Sequence, residues 1–149
     1  MKNMKEYVVL VDEADREIGI ELKQKVHTDN TPLHRAFSLF LFTYTGELLL
    51  QQRSGSKPTW PFVWSNSCCG HPMPEESYES AVKRRTRYEL GINLHSVFKV
   101  SDYRYCFSKN GIMENEICPI FAGFHDGSIL PDSSEIEDVK WVRWSDWLK

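Results

Sequence analysis

Between Pro74 and Gly91 lies the segment that fits a helix best, and short strand-like runs bracket it on both sides. Pro74-Glu-Glu76 has the proline-then-acid signature of a helix start, and Gly91 supplies the stop. Along it Tyr78, Ala81, Val82, Arg85 and Glu89 recur at three-and-four spacing, so a packing stripe runs on into charge. Charges that prolong an inward stripe point to a cleft at its end. Strands before and after one helix predict an α+β chain, its mixed or antiparallel sheet flanked by helices.

The remaining segments read as follows. Tyr7 to Val11 and Ile18 to Leu22 flank an acidic, turn-prone stretch and predict a hairpin. From His34 to Tyr44 the residues are apolar on both faces, which predicts one central strand covered on each side. Thr45-Gly46 turns it into Glu47 to Arg53, and 54–58 is a loop. Val97 to Phe107 and Ile112 to Phe124 are strand-like and joined at Asn110-Gly111, a strong hairpin signal. Val139 to Trp144 is a last strand, and Ser145 opens a helix. A chain of 149 residues suits one domain over 1–149.

Charge narrows the function classes. With 18 Lys and Arg against 21 Asp and Glu, the net charge is −3, and no basic run suits a nucleic acid or a membrane surface. An anionic partner must be a small molecule, locally gripped. No stretch resembles a transmembrane span or a secretory signal, so a cytoplasmic location is expected. The four cysteines, two of them adjacent, match no zinc-ribbon spacing and are expected as reduced thiols.

Chemistry concentrates in Trp60-Pro-Phe-Val-Trp-Ser-Asn-Ser-Cys-Cys-Gly-His-Pro72. Cys69 and His71 stand two apart around Gly70, whose missing side chain would let a ligand approach the backbone. A reactive Cys69 is expected to be partly exposed, its thiolate favoured by a nearby cation, while Cys68 points elsewhere and packs. Glu114 and Glu116 are two apart on a strand and so share a face. An isolated Glu-x-Glu is ordinarily a solvated face. With His27, His34 and His71, however, the pair would make an octahedral site for Mn²⁺, Fe²⁺, Zn²⁺ or Mg²⁺. His95 and His125 have no such neighbours. Lys23, Arg53, Lys57 and Arg85 are surface charges one by one, and together could grip a diphosphate.

From Gly70 the spacing Gly-x₅-Glu76-x₇-Arg84-Arg-Thr-Arg-Tyr-Glu89-Leu-Gly91-Ile92 resembles a degenerate Nudix box. The hydrolases of that family place Glu after the Arg and a Glu pair further on. Here those slots hold Arg85 and Tyr88, leaving Glu89. Taken with His27, Leu33-His34, Trp60-Pro, Trp64, Asn66-Ser-Cys-Cys-Gly-His-Pro72 and Glu114-Asn-Glu116 through Cys118-Pro119, the chain is similar to the type 1 isopentenyl-diphosphate isomerases, from about Tyr7 to Leu148.

The resemblance implies a Nudix-like fold and interconversion of isopentenyl and dimethylallyl diphosphate through a tertiary carbocation. It implies that Cys69 and Glu116 are the acid/base pair, with Tyr105 assisting near Glu116. One Mn²⁺, Mg²⁺ or Zn²⁺ would sit on His27, His34, His71, Glu114 and Glu116. A second Mg²⁺, with Glu89, would bridge to a diphosphate held by Lys23, Arg53, Lys57 and Arg85. Phe37, Trp60 and Trp64 would present aromatic faces to the cation. Members of the family continue with a helical segment that closes the pocket; ending at Lys149, this chain is expected to have a more open pocket and reduced activity. The rival readings are a Nudix pyrophosphohydrolase, disfavoured by Arg85 and Tyr88, and a metal-stabilised binding protein without catalysis.

Overall fold

The computed structural model describes residues 5–148. Strand β1 (Tyr7–Val11) pairs antiparallel with β2 (Glu17–Leu22), the hairpin expected. Its turn is fastened by the Asp12 carboxylate, which accepts from the backbone N–H groups of Ala14 and Arg16. A single helical turn that the spacing did not reveal, α1 (Lys23–Val26), follows.

The expected central strand is divided, with β3 (His34–Arg35) in one sheet and β4 (Phe37–Phe42) in the other. Next come β5 (Glu47–Arg53), the short β6 (Trp64–Ser65) and β7 (Cys68–Gly70), the helix α2 (Tyr78–Leu90) and β8 (Phe98–Ser101). They are followed by β9 (Arg104–Lys109), β10 (Ile112–Ile117), β11 (Ile120–Phe124), β12 (Ile136–Arg143) and the helical turn α3 (Trp144–Trp147). The first sheet runs β2-β1-β3-β10-β9 and the second β12-β5-β4-β11-β8, with β6 on β5 and β7 on β4.

Two expected strands divide together, for one reason. Pro119 has no N–H to continue a ladder, so the run from Ile112 breaks there into β10 and β11. The segment from His34 runs parallel to it and breaks opposite, at Ala36, whose N–H donates to the Ile117 carbonyl at 2.9 Å. Both segments thus cross from one sheet to the other side by side. The run from Val97 to Phe107 likewise splits between the sheets, as β8 and β9. Asn110 and Gly111, at φ 54° and 75°, form the tight turn expected between β9 and β10.

Helix α2 starts later than Pro74, because Ser77 is its cap, its hydroxyl accepting from Ser80 N–H at 3.1 Å. Gly91 ends it in the left-handed region at φ 66°, donating to Arg87 O at 3.0 Å. Ala81, Val82 and Leu90 of its inner face pack with Phe37, Leu39, Leu41, Leu49 and Cys68 of the second sheet. Each large side chain so buried contributes about 1.5–3 kcal/mol. The other face of that sheet, with Ser38, Phe40 and Phe42, is only half-buried. Trp144 and Trp147 of α3 stack on each other there and meet Phe40 edge-on.

Between β4 and β5 the strands splay, with Phe42↔Leu48 as their one register pair. Ser67 fills the gap, its hydroxyl accepting from Leu41 N–H and donating to Leu49 O, each at 2.7 Å. That wedge opens room for β7, and so for the adjacent cysteines.

Candidate functional site

Where the two sheets meet, Nε2 of His27, His34 and His71 lies 3.9, 3.6 and 3.6 Å from Glu116 Oε1. His34 and Glu116 are register partners on β3 and β10, which sets one imidazole beside the carboxylate by backbone pairing alone. His27 arrives on a loop tied to β10. Met113 N–H donates to Thr28 O at 2.8 Å, the Thr31 hydroxyl reaches Met113 O, and Asn115 Nδ2 donates to Thr31 O at 3.0 Å. His71 follows β7 and is anchored by Arg84, which donates to the His71 carbonyl at 3.1 Å while forking onto Glu76. The Glu76 and Arg84 of the Nudix-like spacing therefore hold a histidine in place.

The four ligand-type atoms lie within 4.8 Å of one another. His34 Nδ1–H donates to Pro32 O at 2.9 Å, so its Nε2 carries the lone pair. That Nε2 and both ring nitrogens of His71 are buried without a hydrogen-bond partner. Three imidazoles and a carboxylate converging with unpartnered nitrogens fit a divalent cation. Burial pulls His71 down to about 4, overriding the opposite pull of Glu116, which keeps it in the neutral, ligating form. Burial opposes charge on Glu116 too, but the three imidazoles of His27, His34 and His71 gathered around it outweigh it and hold the carboxyl well below its ordinary range.

Glu114 shares the face of β10 but its carboxylate stands outside this four-atom group. Burial, then the charge of Glu116, raises its pKa, while the charge of His27 and the nearby Tyr105 hydroxyl lower it. Tyr105 is the register partner of Glu116, and the charges of both Glu114 and Glu116 act on its hydroxyl. Burial and the two carboxylates push Tyr105 up to about 12.

On β7, Cys69 is the register partner of Ser38 and turns to the half-open face of the second sheet. Its thiol lies 3.2 Å from Asn66 Oδ1 and 3.7 Å from Ser38 Oγ. Asn66 is oriented by donating to Leu39 O at 2.9 Å and Cys68 O at 3.3 Å, which leaves Oδ1 for the thiol. Although one side of Cys69 meets solvent, the surrounding protein desolvates the sulfur and pushes it up to about 11; Glu116 and Glu89 add to the rise. The expected thiolate beside a cation is thus replaced by a neutral thiol beside carboxylates. All four cysteines are free.

Cys68 points the opposite way, fully buried, and donates to Glu89 Oε2 at 3.0 Å. Glu89 belongs to the buried face of α2 and is not among the four converging ligand atoms, and Arg85 Nε lies 3.4 Å from it. Burial raises its pKa, against the lowering effect of Arg85. Arg85 and Lys57 converge on Glu135, a residue to which the sequence motifs gave no role. Lys23 pairs with Glu6 at 3.0 Å and its charge is felt at His71 and Glu89. Arg53 donates to Thr59 O at 2.7 Å and its charge is felt at Glu114.

The aromatic residues separate. Trp60 is half-buried, at φ 47°, edge-on to Phe107 at 6.4 Å, with its indole N–H unpartnered. Trp64 shares the Cys69 side of the sheet and carries Lys140 over its ring at 4.7 Å. Phe37 faces the other way, into the core, on the side of the sheet opposite Cys69. Gly70 also differs from expectation: a Cβ there would come within 2.9 Å of Arg85 Cγ and of Phe37 Cε1, so its bareness admits the protein's own side chains, not a ligand. His95 and His125 line a separate concavity with Tyr44, Phe124 and Asp126.

No helix of the described residues is long and apolar enough to cross a membrane. The NUDIX domain family model matches residues 32–149. An isopentenyl-diphosphate Delta-isomerase of Mycolicibacterium vanbaalenii is 45% identical over 141 residues, spanning 93% of this chain and 78% of the relative. One of Salmonella arizonae is 44% identical over 147 residues, 97% of this chain and 80% of the relative. In fold, the chain is similar to the crystal structure of DR0079 from Deinococcus radiodurans, with a TM-score of 0.77 at 23% identity over 96% of this chain and 86% of that one.

Proposed function

This chain belongs to the Nudix family and, within it, to the isopentenyl-diphosphate Delta-isomerases; it transposes a double bond in a small diphosphate ester, and we propose that Cys69 and Glu116 carry the protons. The observation that carries the proposal is that Cys69, unlike its buried neighbour Cys68, is exposed and near enough to Glu116 for that carboxylate to act on its thiol.

Interconverting isopentenyl and dimethylallyl diphosphate requires a proton to be added at one carbon and another to be removed elsewhere. One group must begin protonated and the other ionised, and the roles exchange in the reverse direction. A neutral thiol at Cys69 and an ionised carboxylate at Glu116 supply one of each. Protonating an alkene creates a tertiary carbocation, which the faces of Trp60 and Trp64 and the charge of Glu114 would stabilise once water is excluded. Tyr105, the register partner of Glu116, would assist proton delivery there. Asn66 and Ser38 aim the thiol.

His27, His34, His71 and Glu116 would hold Mn²⁺, Mg²⁺ or Zn²⁺, which when bound fixes the carboxylate and adds positive charge next to it. Lys23, Arg53, Lys57 and Arg85 would receive the diphosphate, with Glu89 drawing in a second Mg²⁺. The reaction would take place in the cytoplasm.

Proton and phosphorus NMR of the metal-loaded protein with isopentenyl diphosphate in D₂O tests the reaction. Deuterated dimethylallyl diphosphate with its diphosphate intact is expected. Release of phosphate would make the protein a hydrolase, and a spectrum without turnover would leave it a binding protein.

A further inference from the structure

We propose that Glu135 is a positioning residue for the substrate diphosphate, holding Lys57 and Arg85 together as one preordered cationic grip. This rests on the reading that Lys57 and Arg85 meet the diphosphate. Glu135 Oε2 lies 2.5 Å from Lys57 Nζ and 3.6 Å from Arg85 Nη2, so a single oxygen serves two cations. The three side chains come from the loop after β5, from α2 and from the turn before β12. Their exposures, 20% for Lys57, 7% for Arg85 and 16% for Glu135, withdraw the cluster from the screening that makes surface pairs weak, yet leave Lys57 an open side.

The backbone places Glu135 with respect to both partners. Ser54, which heads the loop carrying Lys57, donates its N–H to Glu135 O at 3.0 Å, and Lys57 N–H donates to Ser54 O at 3.2 Å. Glu135 N–H donates to Asp132 O at 3.0 Å, and Asp132 N–H to Glu89 O at 2.8 Å, at the end of α2 that also bears Arg85. The carboxylate is thus located by main-chain bonds to each of the segments it joins.

Without that carboxylate, an ammonium and a guanidinium repel each other, and the long Lys57 side chain is free to leave. Ordering it would then fall on the binding step, weakening diphosphate binding while the alkene end of the substrate, at Cys69 and Glu116, is untouched. The opposite outcome is physically distinct: if Glu135 chiefly neutralised the cations, its removal would tighten binding.

The test uses the metal-loaded full chain, with calorimetric titration of inorganic pyrophosphate plus Mg²⁺ and steady-state kinetics on isopentenyl diphosphate. Glu135→Gln is expected to raise the pyrophosphate Kd and the KM about tenfold with kcat within about twofold, and Glu135→Asp to recover part of the loss. In a Lys57→Met background Glu135→Gln should add little, because its effect acts through Lys57. Unchanged or tighter binding in Glu135→Gln overturns the proposal, as does an equal loss with and without Lys57. Should Glu135→Gln fail to fold, Glu135→Asp carries the same comparison. Lys57→Met binding pyrophosphate like the unmodified chain would overturn the diphosphate site itself, a failure distinct from that of Glu135.

Discussion

The two sides of β7 make opposite use of the same residue. Toward α2, Cys68 is fully buried, donates to Glu89 and has its thiol raised well above the ordinary value by burial and then by that carboxylate. On the half-open face, Cys69 meets solvent on one side and is oriented by Asn66 and Ser38. Strand alternation alone separates them. The lesson is that of the two adjacent thiols only the one on the side that no long helix covers stays open to solvent. The covered side holds Glu89 and Arg85 from behind.

The comparison breaks most easily at the sulfurs. Cys69→Ala should lower kcat by about 10²–10⁴-fold with metal content unchanged, whereas Cys68→Ala should keep kcat near its starting value. Turnover by NMR, alongside metal analysis, measures both, and equal losses would erase the distinction. Acid should bear on the open side next. His71 titrates near 4 in the folded chain, below its ordinary 6.5, so as pH falls below 6.5 the unfolded chain takes up a proton that the folded one refuses. The His71 contribution to the stability of the metal-stripped protein should therefore fall by about 3 kcal/mol between pH 6.5 and 4. Glu116, ionised in the fold, adds to the loss in the same direction. Urea unfolding at a series of pH values would show this slope, flattened in His71→Asn.

Two smaller effects sharpen the covered side. Gly70→Ala drives a Cβ to within 2.9 Å of Arg85 Cγ and Phe37 Cε1 and should cost about 1–3 kcal/mol by denaturant melt. Cys68→Ala should cost about 1 kcal/mol, by removing the donor to buried Glu89. No measurable change in its unfolding midpoint would mean that the Cys68–Glu89 contact contributes nothing.

Much of the scaffold was legible. The stripe from Tyr78 to Glu89, the turn at Asn110-Gly111 and the hairpin from Tyr7 to Leu22 rest on local spacing and turn chemistry, and each has its counterpart in the fold. The divided strands were less so, since Pro119 marks one break directly while the break at Ala36 exists only because the parallel partner breaks beside it. Of the site, His27, His34, His71 and Glu116 could be grouped by residue type, and the structure brings their ligand atoms within 4.8 Å. Asn66 stood inside a quoted motif without a role, and Glu135 gave no local signal at all.

By itself the sequence determined what short-range physics controls: the helix and its stop at Gly91, the tight turns, and the alternation that sends Cys68 and Cys69 to opposite faces. Tertiary structure decided which of those faces stays open, that Phe37 belongs to the core, and that Glu135 joins Lys57 to Arg85. Those outcomes depend on strand pairing and helix packing between segments far apart in the chain, and spacing along the backbone carries no record of them.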